Sequence, residues 1–386
     1  MTEENKEYKS YRFVKKYDFS DTNTYFDDLD EIENSMSGRI DITSINAFII
    51  ESVQLIKNSI ALFMQGYFDA AYYSLRASIE ISTTLVYLVD MPEDKKKENY
   101  EKWINLDNFP LESQMRNQLY ENGSVMTDMK SKMGSFFEEV QKTNKKINKY
   151  IHKQGFQYFY IKRVFNTKED DNKIIEEYRY FLEKTIGIVA VMRLAIDPLP
   201  ILLNDEEFLY RFSNSISEPY SNDFIKKYIG NDDLDEYKKT EMYNGYYNAF
   251  MRYEKKNESI FMIEKYQMID TTKKNEILAQ IHLLNEEDKY AVYVVLASEK
   301  IIEIYTPNPL IYYPTEREYN NSYYEWDKER QDIYEANPQK YNHKYKNFFV
   351  SVFKFETKYG EKLTFFVTHN EELTEEEIKE IEKMKI

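Results

Sequence analysis

The chain has 386 residues, 68 Asp and Glu against 52 Lys and Arg, a formal net charge of −16, four His and no Cys. Zero Cys excludes disulfide frameworks, thiol nucleophiles, Cys-ligated zinc and iron–sulfur clusters, and fits a reducing compartment. The acidic balance repels nucleic-acid phosphates at long range, so any RNA contact needs a local basic patch.

With 42% hydrophobic residues, the chain can fill the cores of two or three domains. Its N-terminus is polar and lacks the apolar region of a secretory signal. The apolar stretch 186–203 is broken by Arg193, Asp197, Pro198 and Pro200, so no membrane span of about 20 residues is expected and the default location is the cytoplasm. The 36 tyrosines accompany abundant Lys, Asn and Ile, the mark of an AT-rich genome, and are read as ordinary packing rather than a base-stacking platform.

Residues 1–40 form a polar N-terminal segment that ends in the acidic run Asp27, Asp28, Asp30, Glu31 and Glu33. From an N-cap at Thr43 or Ser44, Ile45, Ile49, Val53, Ile56, Ile60 and Phe63 recur every three to four residues, which predicts a helix ended by Gly66. A second helix over 68–88 turns Phe68, Tyr72, Leu75, Ile79 and Val86 inward, making an antiparallel hairpin with the first. Weaker helical text runs through Trp103 and 111–120 to a break at Asn122-Gly123. A third long helix carries Met129, Met133, Phe136, Val140, Ile147 and Ile151 on one face, with Gly155 at the position of a C-terminal glycine cap. A fourth, over 172–195, buries Ile174, Tyr178, Phe181, Thr185, Ile188 and Met192 and stops at Asp197-Pro198. Four long helices with mostly short links predict a bundle over 41–203.

A helical connector over 204–256 leads into residues 257–386, where the period changes. Stretches 290–296 and 300–305 are rich in Val, Ile and Tyr and read as strands, and 347–356 with 362–368 flank Lys358-Tyr359-Gly360 as a hairpin. A polar insert spans 315–345, and Thr374 with Glu377 forms a capping box that opens a last helix bearing Ile378, Ile381 and Met384. The expected fold class is therefore α+β, mainly α: a four-helix bundle followed by a smaller C-terminal α+β domain with two hairpin-like strand pairs.

Nine dispersed glycines build neither a P-loop nor a dinucleotide fingerprint, and the four His at 152, 282, 343 and 369 lack helical metal spacing, so no cofactor and no metal are expected. Glu356-Thr357-Lys358 spells a nuclease-like fragment but reads as a strand running into its turn. One ridge stands out. Four-residue spacing stacks Asn144, Asn148 and His152 about 100° round the helix from the Ile147/Ile151 stripe, amid Lys142, Lys145, Lys146, Lys149 and Lys153. Such a histidine can exchange a proton with a leaving oxygen while Lys145, Lys146 and Lys149 hold a phosphate. The plainer reading is a helix end with dipole-complementing cations. Arg76 and Glu80, one turn apart beside the apolar stripe of the second helix, read as a structural ion pair or as groups that orient Asn148 or His152.

The run Gly66-Tyr67-Phe68-Asp69-Ala70-Ala71-Tyr72-Tyr73-Ser74-Leu75-Arg76-Ala77-Ser78-Ile79-Glu80, followed by Asn148-Lys149-Tyr150-Ile151-His152, resembles a HEPN-type helical bundle over about residues 40–200. Many HEPN proteins are metal-independent ribonucleases of toxin–antitoxin and abortive-infection systems. They work as dimers through a paired arginine–polar–x3–histidine motif. The resemblance implies Asn148 as the polar position and His152 as the histidine, while Ile147 falls where the arginine belongs. It also implies a homodimer. Three functions stay open: a prokaryotic anti-phage effector that binds and cleaves RNA, with His152 and Asn148 catalytic; a catalytically silent adaptor or sensor for a protein partner, antitoxin or phage trigger; and an acidic nucleic-acid mimic.

Overall fold

The computed structural model describes residues 16–19, 21–39, 44–105, 108–159, 171–307, 310–317 and 341–384. The fold is mainly helical with one small antiparallel sheet near the C-terminus. It divides into two compact units, one of residues 1–209 and 215–252 and one of residues 210–214 and 253–386.

In the first unit, α1 (Thr22–Asn34) lies within the stretch expected to be a polar segment. Tyr25, Leu29 and Ile32 recur one turn apart and are buried, while the acids face outward and find cations. Lys57 reaches Asp30 and Glu33, each at 2.8 Å, and Lys227 reaches Asp28 at 2.7 Å. Three apolar residues in an acidic run are too few to announce a helix by composition, but they suffice once a bundle offers them a surface.

Helices α2 (Ile45–Met64) and α3 (Phe68–Asp90) form the expected antiparallel hairpin, and every inward residue named for them is buried. Hydroxyls tie the pair: Ser59 donates to the Ala71 carbonyl at 2.9 Å and Ser78 to the Ser52 carbonyl at 2.8 Å. Gly66, at φ 84°, closes α2 in a Schellman turn, with Gly66 N–H donating to Phe63 O at 2.8 Å and Tyr67 N–H to Leu62 O at 2.9 Å. Thr43 lies outside the described residues. Ser44 stands at the N-cap, and its hydroxyl pairs with the Tyr100 hydroxyl at 3.2 Å instead of capping. Among the described residues, α2 is the one helix long and apolar enough to cross a membrane by length and composition, and its apolar stripe packs against α3.

Then come α4 (Glu93–Ile104), α5 (Glu112–Asn122), α6 (Ser124–Lys132) and α7 (Gly134–Ile151). The third long helix expected from the sequence is thus two helices that break at Met133, which is itself fully buried. The break rotates the following turn, so Phe137 faces the core and Phe136 is only half-buried. The start of α6 is capped by Asp90 from the end of α3, whose carboxylate accepts from the N–H groups of Val125 (2.8 Å) and Met126 (2.9 Å) and the Ser124 hydroxyl (2.9 Å). The left-handed residue after α7 is Lys153, at φ 52°, rather than Gly155: Gln154 N–H donates to Lys149 O at 3.0 Å, and Lys153 is held by its ion pair with Asp69.

Helix α8 (Asp171–Leu194) brings all six expected residues inward. It ends on a buried ion pair in which Arg193 Nη2 meets Asp197 Oδ1 at 3.1 Å. Gly187 lets the backbone of Tyr228 approach so closely that a Cβ would stand 2.2 Å from the Tyr228 carbonyl oxygen. Tyr228 belongs to a π-helical turn, Ile225–Ile229, followed by α9 (Asn231–Tyr237) and α10 (Glu241–Phe250).

The second unit holds α11 (Glu258–Tyr266), α12 (Lys274–Gln280), α13 (Glu286–Ala297), a five-stranded sheet and α14 (Glu375–Glu382). The strands are β1 (Ile301–Pro307), β2 (Leu310–Pro314), β3 (His343–Tyr345), β4 (Phe348–Glu356) and β5 (Lys362–His369), in the order β2-β1-β5-β4-β3 and all antiparallel. The β4–β5 hairpin and the Thr374/Glu377 capping box form as expected. Residues 290–296, expected as a strand, belong to helix α13, and β1 pairs with β2 instead. Asn285 caps that helix by accepting from Asp288 N–H at 2.7 Å, three acids fill its first turn, and Ala291, Val292, Val294 and Val295 are buried. Capping and burial override the modest β preference of its valines. Of the polar insert, residues 318–340 lie outside the described residues.

Candidate functional site

Helices α3 and α7 run antiparallel and are joined by a ladder of contacts. Asp69 pairs with Lys153, the Tyr73 hydroxyl donates to Ile151 O at 3.3 Å, and the Tyr72 ring stacks on Tyr150 with centroids 4.6 Å apart. One turn further along α3, Arg76 Nε donates to Asn148 Oδ1 at 3.3 Å. Two residues that sequence spacing placed on separate helices are thereby brought together.

Around this contact lies a compact polar cluster. Arg76 Nη1 donates to Glu80 Oε2 at 3.1 Å, and its Nη2 lies 3.6 Å from Glu112 Oε2. Glu112, at the start of α5, is only 3% exposed and also accepts from Arg116 Nη1 at 2.6 Å and from Asn144 Nδ2 at 3.5 Å. Burial pushes the Glu112 carboxyl above its ordinary range, while Arg116 and then Arg76 pull it back. Two guanidinium groups facing two carboxylates leave the cluster formally neutral. Arg116 Nε and Asn144 Oδ1 are buried and have no hydrogen-bond partner among the described residues.

His152 is the C-cap of α7, one turn beyond Asn148, and its backbone N–H donates to Asn148 O at 2.8 Å. Its side chain is exposed. The ridge Asn144, Asn148, His152 therefore climbs from the buried cluster through a half-buried amide to an imidazole in solvent. Lys145, Lys146 and Lys149 are exposed on α7. Lys146 leans toward α8, its ammonium 4.9 Å above the Tyr180 ring. Ile147, at the position where the resemblance calls for arginine, is fully buried in the core.

The sequence reading missed Glu112 and Arg116. They form an i, i+4 pair of opposite charge in a chain with few arginines, and that was the only signal available. Chemically, the arrangement offers a fixed guanidinium beside a polar amide, a solvent-accessible imidazole one turn away, and lysines along the same helix. Those are parts for holding a phosphodiester and moving a proton. Among the described residues, no three His, Asp or Glu gather closely enough to hold a metal ion. Compared with family models, curated proteins and solved structures, the chain matches none.

Proposed function

We propose that the helical unit is a HEPN-like module that binds and cleaves RNA without metal, in a cytoplasmic, homodimeric effector of prokaryotic anti-phage defence. The observation that carries this reading is the 3.3 Å Arg76–Asn148 contact across two helices, with His152 one turn further along α7. In this reading Arg76 of α3 takes the part of the arginine that α7 lacks at Ile147.

In the reaction, the 2′-hydroxyl attacks the adjacent phosphorus. The new O2′–P bond forms as the P–O5′ bond breaks, leaving a 2′,3′-cyclic phosphate and a 5′-hydroxyl. One imidazole serves one proton transfer, taking the 2′-hydroxyl proton or protonating the 5′-oxygen. In a homodimer, the second copy of His152 serves the other. Arg76 neutralises the phosphorane with Lys145, and Asn148 orients it. The test is incubation of the purified protein with single-stranded RNA in excess chelator. Fragments ending in cyclic phosphate support the reading when Arg76→Ala and His152→Ala abolish them, and intact RNA with the wild type contradicts it.

A second reading, a silent adaptor for a protein partner, is favoured by one specific observation: both arginines of the cluster are already paired with carboxylates. It predicts that no RNA is cleaved and that Arg76→Ala lowers stability alone.

A further inference from the structure

On the side of α7 away from Arg76 lies a groove of about 360 Å³, bounded by α7, α8 and the short turn Phe156–Tyr158. That volume falls in the range of small-ligand sites. Among the described residues, its rings are Tyr150, Tyr158, Tyr180 and Phe181, and its charged groups are Lys146, Lys149 and Glu177.

The aromatic walls are already fixed. Tyr150 is backed by Tyr72, meets Tyr158 edge to face at 4.9 Å, and donates its hydroxyl to Glu177. Tyr180 donates to Glu139 at 2.6 Å and meets Phe181 edge to face at 5.3 Å. Rings held in this way can accept a flat partner with little further loss of side-chain freedom. Tyr158 and Tyr180 are half-buried, and Lys149 is exposed at the rim with no ion pair among the described residues. The Lys146 ammonium lies over the Tyr180 ring, 4.9 Å from its centroid, a cation–π contact that a stacked base would replace.

We infer that this groove receives an unpaired nucleobase of single-stranded RNA, stacked on Tyr180 in place of the Lys146 ammonium, with the flanking phosphates on Lys146 and Lys149. Stacking on a tyrosine face tolerates any base, and lysines track the backbone, so the pair of features suits a strand rather than one nucleotide sequence. A-form duplex keeps its bases stacked and its edges in the grooves, so it has no base to offer. Lys149 precedes His152 by three residues on α7. A base seated here therefore belongs to a nucleotide next to the one whose phosphate reaches His152. The inference rests on the RNA reading above and extends it to the choice of unpaired over paired substrate.

The experiment is fluorescence anisotropy with a labelled, uncleavable 2′-O-methyl single strand and its duplex, so that binding is read apart from cleavage. Tyr180→Leu is expected to weaken single-strand binding about ten-fold, matching the loss of one stacked base, while Tyr180→Phe stays near wild type. Lys149→Ala, at an exposed position, is expected to reduce the salt slope of binding by about one phosphate contact. Unchanged affinity in folded Tyr180→Leu, an unchanged salt slope in Lys149→Ala, or a duplex bound as tightly as the single strand overturns the inference. If those variants bind normally while cleavage still depends on His152, the groove assignment fails and the nuclease reading stands. If they lose binding while His152→Ala cleaves like wild type, the groove stands and the assigned mechanism fails.

Discussion

Replacing Ile147 by arginine would complete the family motif on paper, and the structure predicts that it will damage the protein instead. Ile147 is fully buried on the inner stripe of α7. Emptying such a site of its isoleucine contacts alone costs about 2–5 kcal/mol. A guanidinium placed there also needs a partner or a route to solvent, and leaving a charge buried and unpaired adds several kcal/mol more. A total near 4 kcal/mol or above translates, for a domain of 150–250 residues, into a melting temperature lowered by about 8–16 °C. Thermal unfolding followed by far-ultraviolet circular dichroism reads this directly, with Ile147→Val as a control expected to cost about 1 kcal/mol. A variant that melts within about 2 °C of wild type would refute the reasoning. So would one that stays folded and gains nuclease activity, because Arg76 would then not be the arginine of the site.

Three further outcomes follow from the geometry. Glu112→Ala removes the carboxylate between Arg116 and Arg76 and leaves Arg116 without its acid and Arg76 with Glu80 alone, so chemical denaturation should show a loss of about 3 kcal/mol; Glu112→Ala as stable as wild type would show the cluster to be dispensable for folding. Gly187→Ala forces a methyl group to within 2.2 Å of the Tyr228 carbonyl oxygen, so α8 must shift and stability should drop by about 1–3 kcal/mol in the same assay, whereas Ala at Gly245, where a Cβ meets nothing within 4 Å, should be tolerated. In the second unit, burial first and then the neighbouring Asp288 push the Glu287 carboxyl up to about 7, and burial pushes Asp288 up to about 6. Folded-state values above the ordinary carboxylate range mean that the folded chain binds these protons more tightly than the unfolded one. Their contribution therefore favours folding at low pH and is lost as pH rises through about 6–7. Glu287→Gln should raise the melting temperature at about pH 8 and change it little at about pH 5; an equal shift at both would contradict the assignment.

The helical hairpin was legible because α2 and α3 each present an uninterrupted stripe at helical spacing, and a stripe of that length has one economical way to be buried. The same logic failed at α13, where four consecutive apolar residues, Val294 to Ala297, carry no period, and the cap at Asn285 and the surrounding core decided the matter. It failed again at Met133, since a break of one residue changes which of Phe136 and Phe137 turns inward without changing composition. For the candidate site, the ridge on α7 could be read from i, i+4 spacing, and Arg76 drew attention as an arginine beside an apolar stripe. Their meeting could not be read, because it depends on the register of α3 against α7, set by the Asp69, Tyr72 and Tyr73 contacts. Glu112 stayed hidden in weakly periodic text. Its importance lies in burial, which only the packing of α5 supplies.

The most direct test of the account is RNA cleavage in excess chelator by wild type, Arg76→Ala and His152→Ala, each first shown to be folded. The account predicts fragments ending in cyclic phosphate from the wild type and a fall in rate of about 10²-fold or more in both variants, the scale of a lost proton-transfer group or charge donor. Cleavage undiminished in both would contradict it.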